Sequence, residues 1–204
     1  MDEELIEELD YEIDILIKSG FFSEDEIFEI IEDEFIDEDV DLDLSYRIGE
    51  RFSQLTEGLK TSDDFIRLDS SFKQLTQKNI ICIHNAGFDI EEGIQDSFEL
   101  HTHIINNKLE VEGFCFYSFE DIETAIYEND LNIAFGDFEL DEAKALEIGK
   151  AIAECLKENG FKVRWNETVD EQIVIEDFNW KKAFDERQYS MDGAFEDYAA
   201  VHRE

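Results

Sequence analysis

Cys82-Ile83-His84 is where a thiol and an imidazole stand two positions apart in this 204-residue chain, and on a strand that spacing puts both side chains on one face. A cysteine beside a base can act as a nucleophile, and a thiolate with an imidazole can begin a zinc site. Asp89 follows near the end of the same segment. Because sites collect in loops at strand ends, Cys82, His84 and Asp89 are the residues to choose for an unrecognised enzyme or a metal or thiol site. His101-Thr102-His103 would add imidazoles, but two residues apart on a helix they point about 200° from each other and cannot face one metal. Neither spacing is a zinc pattern, so the expectation is a buried strand cysteine, surface histidines, no metal and no cofactor. Cys115, between Phe114 and Phe116, reads as core. The GxSxG, P-loop and GxGxxG patterns of the commonest nucleophile and phosphate sites are absent from the sequence.

The second chemistry available is charge. Seventeen basic residues against 55 acidic ones leave a formal −38, a field that raises cysteine pKa values, repels nucleic acid and anionic membranes, and attracts cations. Residues 1–46 hold 20 acidic side chains and one basic one, Lys18, so half of the total lies in less than a quarter of the chain. A charge run of this kind reads first as a solvated face. Its functional reading is a docking surface for a basic protein, or a surface imitating nucleic-acid phosphates, carried by Glu24, Asp25, Glu29, Glu32 and Asp33. The connector from Asp39 to Ser45 places acids at positions 1, 3 and 5 of a calcium-loop spacing, with Glu50 at position 12. Leu44 stands where the turn needs glycine and Arg47 where a ligand is needed, so Ser45 reads as a helix cap instead.

The elements that must position these residues follow from periodicity. Leu5, Leu9, Ile13 and Leu16 recur at helical spacing up to Gly20. Phe22-Ser23-Glu24-Asp25-Glu26-Ile27 joins a capping box to a hydrophobic staple and opens a helix running to about Ile36. Ile48, Phe52, Leu55 and Leu59 mark a third helix; Phe65, Leu68, Phe72 and Leu75 mark a fourth, starting near Thr61 or Ser62. Strands are expected near 79–84, 111–117, 131–136, 162–166 and 172–178. Helices lie between them: about 90–106, one opened by the capping box Ser118-Phe119-Glu120-Asp121, and one over 139–159 closed by Gly160. Trp165 and Trp180 should be at least half buried. The expected fold is α+β, a helical layer followed by a mixed sheet of about five strands with helices packed on it. The regions are an acidic helical one (1–78), a sheet region (79–185) and a C-terminal tail (186–204). With no proline and no Gly/Ser linker, they are expected to form one cooperative unit.

Three cysteines, an odd number at wide spacing, fit a reducing compartment, and no apolar run approaches the ~20 residues of a membrane span. With an acidic start where a signal peptide would be basic, a cytoplasmic location is expected.

Several segments taken in order carry a family resemblance: Thr61-Ser62-Asp63-Asp64, Arg67-Leu68-Asp69 with Phe72, Asn79 to Gly87, Gly113 to Tyr117, Leu131 to Gly136, Ile148-Gly149-Lys150, Val163 to Asn166, and Trp180-Lys181. Over about residues 5–185 the chain resembles an uncharacterised bacterial family, domain of unknown function 6891. The resemblance implies a common fold and no activity. Many members carry cysteines where this chain has Cys82, Ile83 and Ala86; only Cys82 is kept, which argues further against a metal or redox role. The sheet half looks, more loosely, like the ferredoxin-like domain of acidic protein inhibitors of ribonuclease E, which act by binding. The function expected is a non-catalytic protein-binding or inhibitor module acting through its acidic surface.

Overall fold

The computed structural model describes residues 3–35 and 43–202. These group into two compact units, one of residues 1–62 with 181–186 and the other of residues 63–180 with 187–204.

The first unit is helical: α1 (Glu3–Ser19), α2 (Glu24–Glu34) and α3 (Leu44–Thr56). Leu9, Ile13 and Leu16 of α1, Ile27 and Ile31 of α2 and Ile48 of α3 form its buried interior. Gly20 ends α1 with φ at +76°, a conformation glycine adopts without steric cost. Ser23 and Glu26 form the capping box at the start of α2, each satisfying a backbone amide of the other. The cap of α3 is Asp43, whose carboxylate accepts from the Tyr46 amide at 3.1 Å, and not Ser45. A two-residue shift of this kind is natural where two capping residues stand close together, because either oxygen can take a first-turn amide. Residues 39–42 of the connector weighed as a calcium loop lie outside the described residues.

The second unit contains α4 (Asp63–Thr76), β1 (Ile80–Ile83), α5 (Ile90–Asn106), β2 (Gly113–Phe116), α6 (Phe119–Glu128), β3 (Leu131–Gly136), α7 (Glu142–Glu158), β4 (Lys162–Arg164), β5 (Ile173–Glu176) and α8 (Met191–His202). The sheet order is β1-β2-β3-β5-β4, with β1 parallel to β2 and every other pair antiparallel. This is the α+β fold with a mixed sheet that periodicity predicts. Because β3 and β4 both run against β5, they are parallel to each other, and β3-α7-β4 is a split β-α-β unit with β5 inserted, the element shared with ferredoxin-like folds. On one face, α5 and α8 pack over β1 and β2 around Ile81, Ile83, Phe114, Phe116, Leu100 and Tyr198. On the other, α4 packs against β1, and α7 against β2, β3 and β4. Trp180 is 7% exposed and Trp165 is mostly buried, its ring edge-on to Phe135. Residues 186–204, read from sequence as a tail, include α8.

Candidate functional site

The residues after β1 are positioned by the strand they leave. Ala86 donates its amide to the Tyr117 carbonyl at 2.9 Å, Asn85 and Gly87 take positive φ, and the chain turns into α5. Asp89 caps that helix, its carboxylate accepting from the Glu91 and Glu92 amides at 2.8 and 2.9 Å. It is therefore occupied with holding the helix start.

His84 lies just past the strand end, 5% exposed, and is boxed in by the rings of Phe65, Phe72, Tyr117 and Tyr189. Its Nδ1 is 2.7 Å from the Tyr117 hydroxyl and its Nε2 is 3.4 Å from Asp69 Oδ1. Burial lowers the His84 pKa against the pull of Asp69, so the ring is neutral at neutral pH. Tyr117 then donates to Nδ1, and the Nε2–H faces the carboxylate. Asp69 also accepts from Lys73 at 2.7 Å and from Arg187 at 2.9 Å. Burial alone would raise its pKa, but the hydrogen bonds from His84, Lys73 and Arg187 outweigh that and hold its carboxyl well below the ordinary range. Arg187 in turn reaches Asp197 of α8 at 2.6 Å. The chain Tyr117-His84-Asp69-Arg187-Asp197 thus ties β1, α4, the segment before α8 and α8 itself, running from buried Tyr117 and His84 out to partly exposed Arg187 and Asp197. No single-sequence signal pointed to it, since its members are far apart in the chain.

Cys82 faces a different partner. It pairs in register with Cys115 on β2, and the two sulfurs are 3.5 Å apart. Burial raises the Cys82 pKa well above the usual thiol value, and the neighbouring Cys115 raises it further. A thiol so protonated is a poor nucleophile. Cys155 of α7 is buried as well, its thiol 3.6 Å from the Ser71 carbonyl. The three residues chosen from sequence thus have three separate sets of partners: Cys82 a second thiol, His84 a carboxylate and a phenol, Asp89 two helix amides. Among the described residues, no group of three or more His, Cys, Asp or Glu side chains is arranged to hold a metal ion.

The acidic residues chosen from sequence stand together. Glu24, Asp25, Glu29, Glu32 and Asp33 all lie on α2 and are all exposed. The cations of α1 and α3 are spent elsewhere. Arg47 bonds Asp10 through Nε and Nη2 at 2.6 Å each, Arg51 contacts Asp14 at 2.8 Å and Asp10 at 3.1 Å, and Lys18 contacts Asp14 at 3.6 Å. Among the described residues, none of the five α2 acids forms an ion pair. Glu34, at the end of the same helix, has its pKa raised by burial and then by Glu8, so acids are crowded there. A cleft of about 150 Å³ opens among Glu24, Asp25, Phe28, Ser45 and Ile48.

Among known families the chain matches the one described as Domain of unknown function (DUF6891), over residues 2–184. The chain belongs to that family. The match takes in the α2 acids, Cys82, His84, Asp69 and Asp89, whereas Arg187 and Asp197 lie past its end. No curated protein and no solved structure matches this DUF6891 chain. No helix among its described residues is long and apolar enough to cross a membrane.

Proposed function

We propose that this DUF6891 chain is a non-catalytic binding module whose α2 face docks a basic protein. The observation that carries the reading is the division of charge in the helical unit. Arg47, Arg51 and Lys18 neutralise Asp10 and Asp14, and the five exposed carboxylates of α2 have no cation of their own. Such a face costs stability through self-repulsion, and a net charge of magnitude ~2–8 is usually enough to keep a small domain soluble. It would act chiefly on encounter rate and choice of partner. The groups around Cys82 and His84 favour no catalytic alternative, because each is buried and already paired.

Zero-length carbodiimide cross-linking tests the reading, since it joins carboxylates only to lysines they touch. Peptides spanning residues 24–33 joined to partner lysines support it. Partner cross-links confined to other acidic residues overturn it.

A further inference from the structure

A second cleft, in the sheet unit, does not depend on α2. Asn132 of β3 pairs with Val174 of β5, and Val174 with Arg164 of β4, so these three stand in one row across one face of the sheet. The helices α5 and α8 cover that face over β1 and β2. Over β3, β5 and β4 lies instead a cleft of about 620 Å³, bounded by Ile90, Trp165 and the turn that leads to Gln172. That is a ligand-sized space, within the ~300–1,000 Å³ of small-molecule sites.

Asp121 sets the polarity of this cleft from behind. It is 6% exposed, and its carboxylate accepts from the Ser118 amide and hydroxyl at 2.9 Å each and from the Gln172 amide nitrogen at 3.3 and 3.4 Å. The Asn132 side chain also hydrogen-bonds to it. A carboxylate can only accept, so both amides turn their N–H groups toward Asp121 and keep their carbonyl oxygens for the cleft. Asp170 and Glu171 add two exposed carboxylates. Arg164, the cation among the described lining residues, is committed to Glu176 at 3.0 Å and Asp130 at 3.3 Å. The Trp165 indole N–H, at the edge of the cleft, is taken by the Thr168 and Glu171 carbonyls, while Ile90 and Val174 supply the apolar lining.

A space with oriented acceptors, net negative charge and an apolar floor suits a ligand with a cationic donor head and a short alkyl body. We propose that this cleft binds a free small aliphatic cation, an alkylamine or alkylguanidine.

Agmatine is the probe, titrated by calorimetry and by the indole N–H resonances at about 0.15 M salt, where the Debye length is ~8 Å. Saturable 1:1 binding that moves the Trp165 resonance and not that of Trp180 is expected. Asn132→Val and Gln172→Leu leave the net charge unchanged and should each weaken binding about tenfold or more, the worth of a hydrogen bond to a charged group. Should either variant fail to fold, Asp170→Asn with Glu171→Gln, both at exposed positions, should weaken binding by as much. Binding untouched by all of these would be diffuse attraction to a −38 chain and would overturn the site. Equal affinity for 1,4-butanediol, no binding at all, or tighter binding of a blocked arginine than of agmatine would overturn it too.

Discussion

Arg47 and Asp10 meet as a fork, Nε to Oδ1 and Nη2 to Oδ2, each at 2.6 Å, joining α3 to α1. Arg51 repeats the contact one turn later, on Asp14 and on Asp10. Paired planar contacts hold their geometry better than single lysine bridges, and as a network they act as one unit. Changing Arg47 and Arg51 together to glutamine is expected to cost about 1–2 kcal/mol, since partly exposed pairs of this kind are worth up to ~1 kcal/mol each. Urea unfolding at low and high salt checks this; an unchanged midpoint at low salt would contradict it.

Lys182 is 1% exposed, donates to the Gly20 carbonyl at 2.8 Å and lies over the Phe21 ring at 4.9 Å. Residues 181–186 are thereby pinned to the end of α1. Lys182→Met should destabilise by about 1–3 kcal/mol, because it leaves a buried carbonyl without its donor. Gly20→Ala should be at least as damaging: φ there is +76°, and an added Cβ would collide with the Lys182 backbone carbonyl. Thermal melts of both variants give the measurement.

The pH dependence follows from Asp69 and His84. Asp69 has a lowered pKa in the folded state, so its stabilisation is present above the unfolded value of ~4 and is lost as pH falls toward the folded one. His84 is also lowered, so protonation opposes folding once pH drops below ~6.5. Stability should therefore fall in two stages on acidification. Asp69→Asn should lose stability at pH 7 and show a shallower fall below pH ~4 than the parent chain. Denaturant midpoints taken across pH distinguish this from a loss that does not depend on pH.

Folding should not require a metal. The described residues contain no cluster arranged to hold one, and the Cys and His side chains are engaged with other partners. Melts with and without chelator are expected to coincide, and a drop of many degrees with chelator would contradict this.

What was legible in the sequence was local. The Ser23–Glu26 and Ser118–Asp121 capping boxes, the ends at Gly20 and Gly160, and all five strands follow from residues within a few positions of one another. Helix α8 does leave a signal, since Met191, Ala194, Phe195 and Tyr198 recur at helical spacing, but the stretch follows the last strand and reads as a tail. The partners of His84 were hidden for another reason. Asp69 and Tyr117 lie 15 and 33 positions away and Arg187 bonds Asp69 across 118, so only tertiary packing brings them together. The oxygen that turns the Asn132 and Gln172 amides comes from Asp121, which the sequence shows only as a helix cap.

The most direct test of the acidic-face reading is the affinity of a purified cross-linked partner for the parent chain and for a variant with Glu24, Asp25, Glu29, Glu32 and Asp33 all changed to glutamine. Measurements at 0.1 M and 1 M salt shorten the Debye length from ~10 to ~3 Å. The account predicts that the parent binds much more tightly at low salt, that the variant loses most of that difference, and that its melting temperature is equal or higher. Equal affinity of the two proteins at both salts, with the variant folded, would contradict it and leave the α2 acids as a solvated surface.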